Sequence, residues 1–160
     1  MRSKITTQTE PTWSLGSRKL IVDRRLVTIT IELPFPSPQL HAHSKGSHWP
    51  KSKATKAARE LAFGFGKQAR NKRELPKCNC RCEICYSFFV PDLIARDESN
   101  MVQAIKPALD GLVDAGVIFK DDWRHLHTSQ IDVELDRERP RVVLRIEWTG
   151  IIPSPIGAKK

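Results

Sequence analysis

The chain has 160 residues, of which 39% are hydrophobic and 28% are charged. This composition is typical of one globular domain and excludes a disordered chain. No run approaches about 18 consecutive apolar residues, so no membrane span is expected. A secretory signal is not expected either, and we predict a cytoplasmic protein.

Lys and Arg total 27 against 18 Asp and Glu, which gives a formal net charge of +9. Residues 1–75 carry 15 basic and 5 acidic side chains, whereas residues 76–160 carry 12 and 13. A basic half that binds a polyanion, joined to a half with carboxylates that bind metal, is what a phosphodiester-cutting enzyme needs. A well-solvated basic protein has the same composition, so the motifs must decide.

The first half of the chain predicts an arm, a strand and a helix. Residues 1–25 show little periodicity and are interpreted as a flexible arm. Residues 26–33 alternate apolar and polar side chains, which predicts a half-buried strand that the following prolines end. A helix rich in Ala, Lys and Arg is predicted from about residue 51 to 71. Gly64 and Gly66 should each weaken it by roughly 1 kcal/mol.

A second strand and a second helix follow. Residues 80–90 alternate again and predict the strand. An apolar stripe from Met101 to Leu112 predicts the helix, with Ser99 or Asn100 as its N-cap. Pro107 lies inside this pattern and should kink the helix or shorten its first part.

Two more strands are predicted at residues 129–135 and 142–148, joined as an antiparallel pair by a turn at 136–140. The element order predicts an α+β fold in which two main helices pack on one face of a small mixed or antiparallel sheet. We assign this domain to residues 26–149 and interpret residues 150–160 as a loose tail.

Two acidic clusters bracket the second helix. Arg-Asp-Glu-Ser-Asn at residues 96–100 lies at its start, and the Asp121–Asp122 pair lies beyond its end. Carboxylate oxygens are the ligands that Mg²⁺ prefers, and a nearby lysine can offset developing charge. Acids are also favoured at helix starts and in turns for structural reasons alone.

Four cysteines, Cys78, Cys80, Cys82 and Cys85, lie close together, and clustered thiolates can bind structural zinc. In a strand, the first three would line one face and Cys85 the other, which cannot close a tetrahedron without a bend. Small buried side chains and reduced surface thiols are the alternative interpretation.

Cationic side chains on and before the first helix are candidates for contacts with DNA phosphates. Their helical spacing predicts one basic face, although a solvated helix surface has the same pattern. These candidates are Lys45, Lys51, Lys53, Lys56, Arg59, Lys67, Arg70, Lys72 and Arg73.

Three strings in order, RDESN at residues 96–100, KPALDGLVDAGV at 106–117 and the Asp121–Asp122 pair, resemble the core motif of RusA-type Holliday-junction resolvases. The resemblance is to versions carried by phages of actinobacteria. A strand that ends in a P-x-P-S turn at residues 34–37 is similar to the N-terminal half of that family. The match covers about residues 26–148.

This resemblance implies a homodimeric endonuclease with a RusA-like fold that cuts four-way DNA junctions in recombination or repair, without a small-molecule substrate. It implies Mg²⁺ as the metal, with Mn²⁺ as an alternative ion. Asp97 matches the first metal-binding aspartate, Asp122 matches the last, and Lys106 matches the functional lysine. Asp121 and Glu98 complete the candidate metal ligands. A phage protein of this kind would act in the host cytoplasm.

Ser99 departs from the family pattern, because it stands where the family has a second aspartate. It could still reach a metal through a water. The protein could instead bind junctions and cut them weakly or not at all. A zinc-stabilised nucleic-acid-binding protein, in which the acids are purely structural, is a second alternative.

Overall fold

A four-stranded sheet with helices on one face forms the described part of the chain, residues 24–41 and 48–151 of a computed structural model. The strands are β1 (Arg24–Pro34), β2 (Cys82–Val90), β3 (Leu126–Leu135) and β4 (Arg141–Ile151). The helices are α1 (His48–Lys72), α2 (Glu98–Ala104) and α3 (Lys106–Asp114), with a short 3-10 turn at Pro38–Leu40. The predicted α+β class is confirmed.

Parts of three predictions lie outside the described residues. They are most of the expected arm at residues 1–25, nearly all of the expected tail at 150–160, and Lys45. Among the helices of residues 24–41 and 48–151, none combines the length and apolar character needed to cross a membrane.

The order of strands in the sheet is β1-β4-β2-β3. Strand β4 pairs antiparallel with β1 and β2, whereas β3 pairs parallel with β2. The predicted hairpin between the last two strands is therefore wrong, since β2 lies between them. Composition explains this outcome. Strand β4 offers buried Val142, Leu144, Ile146 and Trp148, which suits a central strand, while β3 is exposed at most positions and suits an edge.

Alternate side chains of the inner strands make the core. On β2, Cys82, Ile84, Tyr86, Phe88 and Val90 are buried, and the residues between them are at least partly exposed. This alternation is what a sheet covered by helices on one face requires. The helix layer supplies the other half of the same apolar cluster.

Helices α1 and α3 come into very close contact at two glycines. A Cβ atom on Gly111 would lie 2.2 Å from the carbonyl oxygen of Arg59, and one on Gly66 would lie 2.9 Å from the Cβ of Ala115. Gly64 has no atom within 4 Å of the corresponding position. The close helix contact therefore requires glycine at residues 66 and 111 but not at residue 64.

The predicted effect of Pro107 is confirmed as a break between two helices. Helix α2 ends at Ala104, Ile105 separates the two, and Pro107 lies in the first turn of α3. A proline is tolerated there because that position has no helical hydrogen bond to lose. The break also places Lys106 at the start of α3.

Candidate functional site

Asp97 begins α2 and is its N-cap. Its Oδ1 accepts the backbone N–H of Ser99 at 2.8 Å and the Ser99 hydroxyl at 2.7 Å. The predicted caps, Ser99 and Asn100, are therefore wrong by two or three positions. The hydrogen bond from the Ser99 hydroxyl has the larger effect and that from the Ser99 N–H the smaller, and both hold the pKa of the exposed Asp97 below its usual range. Both bonds use Oδ1, and the backbone N–H of Asn100 also contributes a hydrogen bond to this carboxylate.

Ser99 supports the first carboxylate instead of supplying a second one. Its hydroxyl and its N–H both donate to Asp97, so Ser99 fixes the orientation of the Asp97 carboxylate. Glu98 is the exposed first residue of α2. We call Asp97, Glu98 and Ser99 the Asp97 group.

A second set of acids lies in residues 116–125, the loop between α3 and β3, which we call the acidic loop. Asp122 Oδ1 accepts the backbone N–H of Arg124 at 2.9 Å and lies 2.8 Å from Nδ1 of His125. Partial loss of solvation raises the pKa of Asp122, but the bonds from His125 and Arg124 outweigh it and keep the pKa below the usual range. Oδ1 again makes these bonds, so Oδ2 stays available.

Lys106, the first residue of α3, forms an ion pair with Asp121 of the acidic loop. The Asp121 side chain is 17% exposed and the Lys106 side chain 53%. Lys106 reaches this loop and not Asp110, which lies one helical turn further along α3. Lys106 therefore lies beside the acidic pair.

Asp97 lies at the end of the sheet where β2 finishes. The guanidinium of its neighbour Arg96 is 5.9 Å from the ring of Phe35, which directly follows β1. The last residue of β1 pairs with Arg141, and Arg141 pairs with Phe89 near the end of β2.

The acidic loop lies at the other end of β2. It leads into Leu126, which pairs with Cys82, the first residue of β2. The nine residues of β2 span about 26 Å. No contact joins Asp97 to Asp121 or Asp122, and the described residues contain no group of three or more His, Cys, Asp or Glu that could hold a metal ion. One chain therefore does not assemble the four predicted metal ligands.

The donors themselves suit Mg²⁺. All are carboxylate oxygens, and Mg²⁺ usually takes one or two of these and completes its shell with water and substrate phosphate oxygens. Asp97 and Asp122 are both exposed, and the side-chain bonds from Ser99 and His125 use Oδ1 of each. The donor chemistry fits the ion, whereas the grouping within one subunit is incomplete.

The arginines among the predicted DNA contacts also serve the fold, because each bonds a group outside α1. Their partners are the carboxylate of Asp114 for Arg59 and the carbonyl oxygens of Ala115 and Thr28 for Arg70 and Arg73. The bonds of Arg59 and Arg70 connect α1 to α3 and to Ala115, which directly follows α3. The bond of Arg73, which directly follows α1, connects the end of this helix to β1. An arginine held in this way is less free to meet a phosphate than an unpaired lysine.

The lysines of α1 are more accessible. Lys51, Lys53 and Lys72 are exposed and make no ion pair within the described residues. Lys67 lies over an aromatic ring of the same helix, and Lys56 pairs weakly with a glutamate at 3.8 Å. These side chains give α1 a cationic surface.

Sequence reasoning missed Trp123, which follows the acidic pair directly. Its side chain is 80% exposed, and the guanidinium of Arg124 lies 5.2 Å from its ring. An exposed aromatic ring with a stacked arginine is a surface on which nucleic-acid bases stack. The signal was present in the sequence as a tryptophan flanked by charged residues, the Asp121–Asp122 pair before it and Arg124 after it.

The four cysteines do not form one group. Cys78 and Cys82 are buried in the core, whereas Cys85 lies on the opposite face of β2, with its sulfur 3.0 Å from the Ser129 hydroxyl and 3.3 Å from the Arg145 guanidinium. The alternation of β2 causes this separation. A four-cysteine zinc site is therefore not assembled in this chain.

Comparison with known proteins shows one family relationship. No family model matches the chain. An uncharacterized protein of Xylella fastidiosa is 33% identical over 123 residues, which is 76% of this chain and 76% of that protein. The chain belongs to the same family as this Xylella protein.

Two solved structures share a distant likeness. A thiamine-monophosphate kinase from Stenotrophomonas maltophilia aligns with 91% of this chain and 37% of its own, at 11% identity and a TM-score of 0.37. A cyanuric acid hydrolase aligns with 89% of this chain and 41% of its own, at 9% identity and a TM-score of 0.40. This chain spans about two fifths of either protein, and such scores carry no information on its function.

Proposed function

We propose that this protein is a Mg²⁺-dependent endonuclease of the RusA type that cleaves four-way DNA junctions. The ordered motif around Asp97, Lys106 and Asp122 supports the proposal. The observation that carries it is the state of the two aspartates. Both are exposed, the pKa of each lies below its usual range, and the bonds from Ser99 and His125 fix each carboxylate through Oδ1.

Each polar residue then has a separate task. When bound, Mg²⁺ supplies Lewis acidity and an activated water. Asp97 and Asp122 bind the ion, and the bonds from Ser99 and His125 keep those carboxylates in one orientation. Lys106, held beside Asp121, offsets negative charge on the phosphate under attack.

A homodimer would complete the site. Because the Asp97 group and the acidic loop lie at opposite ends of β2, we propose that Asp97 of one subunit and Asp122 of the partner subunit bind the same ion. A two-fold axis then generates two identical sites. Two sites related by symmetry match the two strands that must be cut in a four-way junction.

The DNA would contact two kinds of surface, one that suits phosphates and one that suits bases. The exposed lysines of α1 suit phosphates, which give affinity without sequence preference. Trp123 and Arg124 lie beside the acidic pair and suit bases that are unstacked near a branch point. Branched DNA offers both features, whereas an intact duplex offers phosphates alone.

The direct test is cleavage of a synthetic four-way junction by the purified full-length protein. We expect nicks in Mg²⁺ or Mn²⁺, none in EDTA, and much less cleavage of a linear duplex with the same arm sequences. Glu134→Gln is a matched control, since Glu134 is an exposed acid of β3 outside both acidic sets. An intact junction in Mg²⁺ and in Mn²⁺, or equal cleavage of the linear duplex, would contradict the proposal.

Ser99 favours a second candidate, a protein that binds junctions without cutting them. Its hydroxyl supports Asp97 but adds no charge for the metal. This candidate predicts the same binding affinity with and without Mg²⁺ and no product in either case. Gel-shift and cleavage assays on one junction separate the two candidates.

A further inference from the structure

Strand β3 leaves one edge of the sheet unpaired in the part of the chain that the structure describes. Its hydrogen-bonded neighbour there is β2, and the order β1-β4-β2-β3 places β3 at one side of the sheet. The strand is ten residues long, and most of its side chains are exposed. An edge of this length presents a row of backbone N–H and C=O groups with which another strand can pair. It is therefore a candidate interaction surface.

The helix-facing side of β3 is largely apolar and only partly covered. It consists of the residues that pair with the buried positions of β2, and we call them the β3 row: Leu126, Thr128, Ile131, Val133 and Leu135. Leu126 and Ile131 pack against the core, whereas Val133 and Leu135 are 45% and 44% exposed. The core thus continues onto the edge strand, where apolar side chains stay in contact with water.

We propose that a second copy of this chain pairs antiparallel with β3 about a two-fold axis perpendicular to the sheet. Two-fold symmetry makes the same strand contact itself, so that residue i meets residue j and residue j meets residue i. The antiparallel ladder would join the two four-stranded sheets into one continuous sheet. This inference rests on the proposed function, because it names the surface that would assemble the shared metal site.

A β-bulge allows β3 to match itself. Ser129 is the extra residue, since Ile84 of β2 pairs with Thr128 and the next residue of β2 pairs with Gln130. The ten residues of β3 therefore fill the nine positions of β2, and Ile131 occupies the central one. A two-fold axis at Ile131 keeps the two faces of the strand in register, because equal numbers of positions lie on either side of it.

This register pairs the β3 row with itself. On the other face of the strand it sets no acid opposite an acid, whereas an axis at Asp132 would put two aspartates together. The cross-strand pairs of the row, with one residue of each from the partner subunit, are Leu126 with Leu135, Thr128 with Val133, and Ile131 with Ile131.

Antiparallel pairing brings together the two acidic sets that one chain keeps apart. Because β3 runs parallel to β2, Leu135 lies at the Asp97 end of β2 and Leu126 at the end next to the acidic loop. The two-fold axis reverses these ends in the partner, so the partner's acidic loop comes to the Asp97 end of this chain. The end of β2 and the start of the partner's β3 are then two strand spacings apart, about 10 Å, against about 26 Å within one chain.

The opposite edge of the sheet does not achieve this. Pairing through β1 would put six strand spacings, about 29 Å, between the same two points. Pairing through β3 also brings together exposed apolar side chains outside the strand. Leu93 and Ile94, which follow β2 at the Asp97 end, would turn toward the partner's Phe119, which lies in the acidic loop.

The mass of the purified full-length protein, in a chelator and without DNA, is the first test. We expect a dimer with twice the 18.2 kDa of one chain. Val133→Lys/Leu135→Lys places two cations from each subunit in the β3 row and should raise the Kd of the dimer at least about 100-fold with an unchanged circular dichroism spectrum. Leu26→Lys alters a similarly exposed leucine on β1 and should stay dimeric. A monomeric wild-type protein, or equal dissociation of the two variants, would overturn the proposal.

Crosslinking covers the case in which the lysine variant fails to fold. Mixed Thr128→Cys and Val133→Cys chains, treated with a short bismaleimide reagent, should form a covalent dimer. Peptide mapping should assign the link to residue 128 of one chain and residue 133 of the other. Thr128→Cys chains mixed with Leu26→Cys chains are the control and should give no such dimer. A missing link between residues 128 and 133, or an equal yield in the control, would contradict pairing through β3.

These outcomes separate this inference from the proposed function, because none of them needs metal, DNA or nicking. Glu134 lies on the other face of β3 from the row, so the Glu134→Gln control leaves the row unaltered. A dimer paired through β3 that leaves junctions intact would contradict the proposed function alone. Nicking by a protein whose subunits pair elsewhere, or do not pair, would contradict this inference alone.

Discussion

The helix layer and the two acidic sets are held by different forces. Helices α1 and α3 meet through atoms in direct contact at Gly66 and Gly111, where no added carbon fits. Asp97 and Asp122 are exposed and are held by hydrogen bonds to their carboxylates. Substitutions at the packed glycines should therefore change the free energy of unfolding and leave nicking unchanged. Substitutions of the aspartates should slow nicking and leave stability nearly unchanged.

Neutral aspartate variants should show the largest effect. Asp97→Asn and Asp122→Asn each remove a charge but keep the Oδ1 acceptor, so stability should change little. Loss of groups that only support metal ligands typically costs about 10–100-fold, so loss of a ligand should slow Mg²⁺-dependent nicking by at least about 100-fold. Nicking rates and urea unfolding of the same samples measure both quantities. Unchanged rates would show that the acids are structural.

Glycine variants in the helix layer should act in the opposite way. Gly111→Ala forces a Cβ against the Arg59 carbonyl and should lower the free energy of unfolding by about 1–3 kcal/mol. Gly64→Ala meets open space and should raise it by about 0.5–1 kcal/mol. Urea unfolding gives both values. A shift of the same sign in the two variants would contradict the close packing of α1 on α3.

An aspartate at residue 99 tests whether the Asp97 group binds Mg²⁺. Ser99→Asp adds a carboxylate beside Asp97 and should lower the half-saturating Mg²⁺ concentration about fivefold or more. Ser99→Asn is the control, because it has nearly the same shape without the charge. If both variants respond equally to Mg²⁺, the ion does not bind at this end of β2.

The smallest effect is expected from the cationic surface of α1. Replacing Lys51, Lys53 and Lys72 by Gln should flatten the plot of log affinity against log salt by about 0.9 for each phosphate that is no longer neutralised. Arg59→Gln should leave that slope unchanged, because Arg59 binds Asp114. Junction binding at several salt concentrations measures this, and a reversed ranking of the variants would contradict the assignment.

Local patterns predicted much of this fold, and contacts between distant residues explain the rest. The alternation at residues 26–33 and the break at Pro107 are short-range signals, and both are confirmed. The pairing of β3 with β2 was missed because alternation within a strand does not identify its neighbour. The need for glycine at residue 111 and the pairing of Lys106 with Asp121 depend on how α3 meets distant segments.

Mixing two inactive variants tests the central claim most directly. If Asp97 and Asp122 of different subunits share an ion, a heterodimer of Asp97→Asn and Asp122→Asn chains contains one intact site and one doubly altered site. A statistical mixture should then regain about a quarter of the wild-type nicking sites, since about half of its dimers are heterodimers. A mixture as inactive as either variant alone would contradict a site built from two subunits.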